Sequence, residues 1–178
     1  RLMLATDGSE FSRAPTEIAV ALARCFGVTL DVVTAVDADA ERETARRRLA
    51  AAVQEARSAG ADGVEWLRVG RNTAQEVAAA ASAADANLLI IGRRPTRGDL
   101  KERLVGDIAS RILAQAPCHV LVAGWQARMW ARRILVACDE SEFSDAIADL
   151  ATQIAKATGT PVTLLSAVSS AREQAAAE

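Results

Sequence analysis

The sequence has little that would carry covalent or metal chemistry. One histidine, His119, stands alone in an apolar run behind Pro117 and Cys118. It reads as a packed strand residue, and a Ser–His–Asp relay would need a histidine in a motif of its own. Three cysteines, Cys25, Cys118 and Cys138, are an odd number, widely spaced, each within an apolar pattern. They read as buried reduced thiols, and the compartment as cytosolic or cytoplasmic. No Cys/His group has the spacing of metal ligands. No apolar run approaches the roughly 18 residues of a membrane span, so no membrane association is expected. An excess of one charge is also missing. The net charge is −2, which argues against a dedicated nucleic-acid binder. Arg42, Arg46, Arg47 and Arg48 lie close to Glu41 and Glu43. That is the pattern of a solvated helix face. The chain opens on a strand-like run at Arg1, which reads as a start inside a longer gene.

What is present is a regular alternation of buried runs and amphipathic stretches. Residues 2–5 (LMLA) predict a short buried strand, closed by Thr6-Asp7-Gly8-Ser9. Ala14, Ile18, Leu22 and Cys25 then fall at helical spacing. Ser12 as N-cap would put Pro15 in the first turn, where its missing N–H matters little; otherwise that turn is irregular. Residues 28–36 (VTLDVVTAV) predict a second strand, rich in β-branched residues. A helix is expected over 39–59, with Leu49, Val53 and Ala56 inward. A third strand is expected over 64–69. Thr73-Ala-Gln-Glu76 reads as a capping box opening an Ala-rich helix to about residue 84. The run 88–91 (LLII) suits a strand covered on both faces, ended by Gly92. A basic loop follows, with Arg93, Arg94, Arg97, Lys101 and Arg103. Another helix is expected from Gly106-Asp107, carrying Ile108, Ile112 and Leu113. Pro117 marks its end, and 118–123 is the last strand of this set. The order βαβαβαβαβ predicts a mainly parallel α/β sheet with helices on both faces.

Residues 124–132 (GWQARMWAR) look like a connector, with Trp125 and Trp130 packing it down. Then the sequence repeats. RLMLATDGSEFS from Arg1 aligns without a gap on RILVACDESEFS from Arg133. The register continues through Ala14 with Ala146, Ala19 with Ala151, Ala23 with Ala155, Gly27 with Gly159, and Ala35-Val36 with Ala167-Val168. About a dozen identities in one register mark a tandem repeat of one supersecondary unit. The second copy holds a strand, a helix, a strand and the start of another helix. The expected division is a domain over 1–124, a linker over 125–132 and a partial second copy over 133–178. Half of such a domain cannot bury its sheet alone.

The motifs ATDGSEFS (5–12), TAVD (34–37), DANLLIIG (85–92) and GDIASRILAQAPCHVLV (106–122) resemble the universal stress protein (UspA-like) family. The resemblance covers nearly all of residues 1–123, and again 133–168. It implies an open five-stranded, mainly parallel sheet of the Rossmann-like, adenine nucleotide alpha hydrolase-like kind. It implies a switch point between strands one and four. It further implies a homodimer or pseudo-dimer through the last strand, Cys118 to Ala123, with protein partners. Ligands in such sheets bind beyond the carboxyl ends of strands at the switch point, where Asp7 and Gly92 stand.

The resemblance also implies a nucleotide site. Asp7 is similar to the aspartate that contacts the adenosine, with Ala5 and Thr6 beside it. Val36 matches the strand end that lends backbone to the adenine. Ile91, Gly92, Arg93, Arg94, Gly106, Asp107 and Ile108 fall on the phosphate loop, whose pattern is G-x2-G-x9-G-(S/T). The sequence departs from that pattern. Pro95 stands at the second glycine and supplies no N–H. One extra residue precedes Gly106, and Asp107 replaces the Ser/Thr. Its carboxylate would cap the helix, worth about 1 kcal/mol. It would also repel a phosphate about 5 Å away by roughly 1–3 kcal/mol. The preferred reading is a non-catalytic stress-response or signalling module with a degenerate nucleotide site. The alternative is an ATP- or AMP-binding member with slow ATPase activity. A third is a regulatory domain of a larger protein, such as a transporter tail. The second copy keeps Asp139 but has Glu140 for the glycine, and no nucleotide site is assigned to it.

Overall fold

The computed structural model describes residues 1–93, 107–129, 132–139, 141 and 143–166, with Asp107 as backbone alone. The expectations for Arg94, Pro95, Arg97, Lys101, Arg103, Gly106, Trp130, Glu140 and the segment after Ser166 lie outside the described residues. The chain divides into two compact units, 1–129 and 130–178.

In the first unit β1 (Leu2–Ala5) is the central strand. It pairs in parallel with β2 (Leu30–Val36) on one side and with β4 (Leu88–Arg93) on the other. β3 (Glu65–Val69) flanks β2, and β5 (His119–Gly124) flanks β4. The order β3-β2-β1-β4-β5 is a five-stranded parallel sheet whose chain path reverses direction between β1 and β4. Met3, Leu4, Val33, Leu89 and Ile90 are completely buried, as continuous apolar runs in a sheet covered on both faces require.

Four α-helices cover this sheet among the described residues: α1 (Arg13–Phe26), α2 (Arg42–Ser58), α3 (Thr73–Ala83) and α4 (Asp107–Leu113). Ala74, Val77, Ala80 and Ala81 of α3, with Ala109 and Ile112 of α4, pack on Met3, Val33, Leu89 and Ile91. Alternation along the strands turns Leu4, Val32 and Ile90 to the opposite face. Small alanines let α3 lie close to the sheet. α1 contributes Ala14, Ile18 and Leu22, and α2 contributes Leu49, Val53 and Ala56.

Several boundaries differ from the sequence expectation. β4 runs through Gly92 to Arg93, because Gly92 and Arg93 continue the pairing with Ala123 and Gly124. β2 begins at Leu30, and β5 begins at His119, one residue after Cys118. The N-cap of α3 is Asn72, whose Oδ1 accepts the Gln75 N–H at 3.3 Å. Thr73 is the first helical residue, so the capping box is replaced by an asparagine cap. A 3-10 turn (Glu10–Ser12) precedes α1, and Pro15 falls within the first turn of the helix. Another 3-10 turn (Asp39–Glu41) precedes α2. The cysteines are all free, but Cys25 is exposed and Cys118 and Cys138 are half-buried. The buried stripe of α1 ends at Ala23, and Cys25 lies in a final turn that runs past it. No described helix is long and apolar enough to cross a membrane.

The second unit contains β6 (Ile134–Cys138), α5 (Phe143–Thr158) and β7 (Val162–Ser166). β6 and β7 pair in parallel with Ile134 opposite Val162, as Leu2 is opposite Leu30. Each position is displaced by 132 residues (134 − 2 and 162 − 30). Gly159 has φ +68° where Gly27 has φ +64°. Thr160 N–H donates to the Ala155 carbonyl as Val28 N–H donates to that of Ala23.

One buried carboxylate sits in the sheet itself. Asp31 is fully buried in β2. Its Oδ1 accepts the Val64 N–H at 2.9 Å and its Oδ2 accepts the Trp66 indole N–H at 3.2 Å. Burial of a carboxylate is tolerable only with such partners. Here they pull the edge strand β3 onto β2. Asp31→Ala strands both donors and is expected to cost about 1–3 kcal/mol of stability in urea denaturation. Asp31→Asn, which keeps one acceptor, should lose less.

Candidate functional site

The reversal between β1 and β4 leaves the carboxyl ends of these strands facing a gap between diverging connections. The gap is a cavity of about 450 Å³. The end of β1 supplies Ala5, Thr6 and Asp7, and the following turn supplies Ser9, Phe11 and Ser12. Ala35 and Val33 of β2 form part of the floor, Gly92 and Arg93 of β4 another part. Thr73 of α3 and Ile108 and Ile112 of α4 wall it.

The turn after β1 is held by the Asp7 side chain. Its Oδ1 accepts the Ser9 N–H at 2.9 Å and the Ser12 hydroxyl at 2.7 Å. Thr6 Oγ1 accepts the Gly8 N–H at 3.1 Å, and the Thr34 hydroxyl donates to the Thr6 carbonyl at 2.9 Å. Arg48 of α2 crosses above the turn and donates to the Asp7 carbonyl at 3.4 Å. A Cβ at Gly8 would lie 2.6 Å from the Arg48 Cβ, and φ there is +65°. Glycine is therefore required on both counts. Gly92 has a different reason. A Cβ there would lie 3.0 Å from the Pro15 Cγ, so glycine lets the start of α1 close over the end of β4.

Two contacts tie the walls together. Asn72 Oδ1, the cap of α3, also accepts from Arg111 of α4 at 2.9 Å. Phe11 packs edge-on against Trp125, with ring centroids 6.3 Å apart. Trp125 directly follows β5, so the chain leaving the sheet is anchored on a cavity residue.

Of the residues singled out from the sequence, Ala5, Thr6, Asp7, Ile91, Gly92, Arg93 and Ile108 come together in this lining. Val36 does not. It ends β2, and its carbonyl accepts the Gly70 N–H at 2.9 Å. Arg94 and Gly106 lie outside the described residues, and Asp107 is seen only as the first residue of α4. Sequence reasoning missed Ser9, Phe11 and Ser12 as lining residues, although all three stand in the motif quoted above. It also missed Thr73 and Val77, which reach the cavity only through the packing of α3. His119 is on the edge strand β5 and outside the lining. Among the described residues no group of acids, histidines and cysteines could hold a metal ion.

The fold and the cleft define an open parallel α/β protein with a cavity at the switch point of its sheet. The model of the universal stress protein family matches residues 1–124, and the chain belongs to that family. No curated protein matches it. Three solved structures show the same fold. A universal stress protein crystallised in complex with cAMP is 24% identical, with a TM-score of 0.58, over 70% of this chain and 96% of that one. The universal stress protein from Archaeoglobus fulgidus in complex with dAMP is 24% identical, with a TM-score of 0.56, over 68% of this chain and 94% of that one. Another universal stress protein from Archaeoglobus fulgidus is 20% identical, with a TM-score of 0.75. That comparison covers 98% of this chain and 68% of the other.

The turn after β6 repeats the bonding of the turn after β1. Asp139 Oδ1 accepts the Ser141 N–H at 3.0 Å and the Ser144 hydroxyl at 3.0 Å. Hydrogen bonds from Ser141, and then from Ser144, hold the Asp139 carboxyl below the usual aspartate range. Such bonds favour the charged form. A lowered carboxyl favours the fold above the ordinary aspartate range, and this is lost as pH falls through the lowered value. Carboxyl NMR titration should find Asp139 below an ordinary aspartate, and Ser141→Ala or Ser144→Ala should move it back up.

Proposed function

We propose that this chain is a non-catalytic stress-response module whose cleft takes an adenine nucleotide bearing a single phosphate, such as AMP or cyclic AMP. The observation that carries the reading is the cavity at the end of β1 and β4. It joins one carboxylate, Asp7, and one cation, Arg93, among otherwise apolar or neutral described lining residues. Its volume lies in the range of small-ligand pockets, about 300–1,000 Å³. Apolar walls suit a purine face. A single cation among the described lining residues suits one phosphate better than three. Asp7 Oδ1 is already committed to two hydrogen bonds. That favours a binding role over proton abstraction. The complexes of two neighbours with cAMP and dAMP are consistent with the same ligand class.

Partner contact completes the proposal. β5 is an edge strand of its sheet, and long bare edges invite pairing. A homodimer or pseudo-dimer through residues 118–123 would satisfy it. The register shared by β1–α1–β2 and β6–α5–β7 supports a partial second copy over 133–178, joined by a linker at 125–132.

The alternative is an ATP-binding member with slow hydrolysis, favoured by Asp7, Gly92 and the basic residues after β4. Calorimetry separates the two. AMP or cyclic AMP is expected to bind with micromolar affinity, and Asp7→Ala should weaken it at least tenfold. ATP should bind less tightly than AMP and gain affinity in Asp107→Ser, which removes a carboxylate from the first residue of α4. Tighter binding of ATP than of AMP, with measurable hydrolysis, would establish the alternative. Absence of binding by all three nucleotides would refute the nucleotide reading and leave partner contact alone.

A further inference from the structure

Two buried side-chain polar atoms among the described residues have no hydrogen-bond partner: Ser9 Oγ and Arg68 Nε. Arg68 lies on β3 with its guanidinium 5.3 Å from the centre of the Trp66 ring, outside the cavity lining. Ser9 lines the cavity. Its hydroxyl is not needed to build the turn, because the bond to Asp7 is made by the backbone N–H. The second unit provides an internal control. The matching turn makes the same two bonds to Asp139, yet Ser141 is exposed. The Ser9 hydroxyl is therefore covered by what the first unit packs around the turn, in a residue that lines the cavity. An unpaired buried hydroxyl is a standing cost in the empty protein, and a ligand that pairs it removes that cost.

We propose that Ser9 is a specificity-determining residue of the cleft, whose hydroxyl accepts a hydrogen bond from an N–H or O–H of the nucleoside part of the ligand. This rests on the nucleotide reading above. Charge decides which part of the ligand lies here. The Asp7 carboxylate adjoins Ser9, attracts donors and repels phosphate. Arg93, on the neighbouring strand β4, carries the opposite sign. The nucleoside therefore lies against the β1 turn and the phosphate towards Arg93. Two groups of an adenine nucleotide present such a donor, the ribose 2′-hydroxyl and the exocyclic amine of the base.

Calorimetry with AMP, 2′-deoxy-AMP and inosine monophosphate tests this on the full chain, with Ser9→Ala and Ser141→Ala beside the wild type. Ser9→Ala should weaken AMP about three- to tenfold, the share of one neutral hydrogen bond. It should leave the Tm of the ligand-free protein unchanged or higher, because an unpaired buried hydroxyl has gone. Ser141→Ala should leave AMP binding unchanged. The group is identified by the analogue that wild type and Ser9→Ala bind alike: 2′-deoxy-AMP for the hydroxyl, inosine monophosphate for the amine. AMP binding unchanged by Ser9→Ala would overturn the role of Ser9 and leave the nucleotide reading standing. An equal loss for all three ligands would also overturn the specificity role. Failure of wild type to bind AMP would overturn both.

Discussion

Everything in the first unit depends on β1 being paired on both sides. Leu2 to Ala5 face Leu30 to Val33 on one flank and Leu88 to Ile91 on the other, in parallel. Four residues make a weak strand alone. Held between two longer parallel neighbours, they have both ladders satisfied and both faces buried. The same double pairing fixes the cleft. A chain that leaves β1 for β2 on one side, and later returns to β4 on the other, must send its connections apart. Their divergence opens the space above Asp7 and Gly92. The position of the cavity is thus a consequence of topology, and only its chemistry is chosen by side chains.

That chemistry is concentrated in the turn after β1. One carboxylate oxygen gathers the Ser9 N–H and the Ser12 hydroxyl, and so links the end of the strand to the start of α1. Glycine at position 8 lets Arg48 approach within a distance no side chain would permit. Glycine at position 92 leaves room for the Pro15 ring at the start of α1. The Asp7 side chain and Arg48 thus hold the turn in place. A preformed loop of this kind loses little conformational freedom on binding, which favours affinity for a small ligand.

Much of this was legible in the sequence, for reasons that can be named. LMLA and LLII are unbroken apolar runs, and a buried parallel strand is the structure that such short runs suit. The expected repeat rests on residues that recur at a constant spacing of 132, and the paired registers of β1–β2 and β6–β7 have the same spacing. The motif around Asp7 pointed to the strand end where the cavity lies. Other features were hidden because they are decided by packing. Asn72 outcompetes Thr73 as cap because its longer side chain serves both the Gln75 N–H and Arg111 of α4. A local pattern cannot anticipate a partner 39 residues away. Cys25 obeys the helical period but lies past the end of the buried stripe. Thr73 and Val77 join the cavity only when α3 lies across the sheet, and Phe11 meets Trp125 only when β5 has taken its place beside β4.

The two units share a strand–helix–strand register and differ in how deeply its strands are buried. In the first, Met3 and Val33 are completely buried, packed against residues of α3 and α4. Their counterparts 132 residues on, Leu135 and Leu165, are 63% and 51% exposed. The strands pair in the same register and the aspartate turn has the same bonds, so local structure is independent of the rest of a full sheet. Burial is not. A strand–helix–strand unit covers one face of its sheet with its own helix, and the other face needs helices from a later part of the fold. The same distinction separates the two aspartate turns. Hydrogen bonds within each turn come with the motif, whereas the cavity of the first unit also needs walls from β4 and α4. The cavity is therefore a property of the five-stranded sheet, to which the motif after β1 contributes one wall.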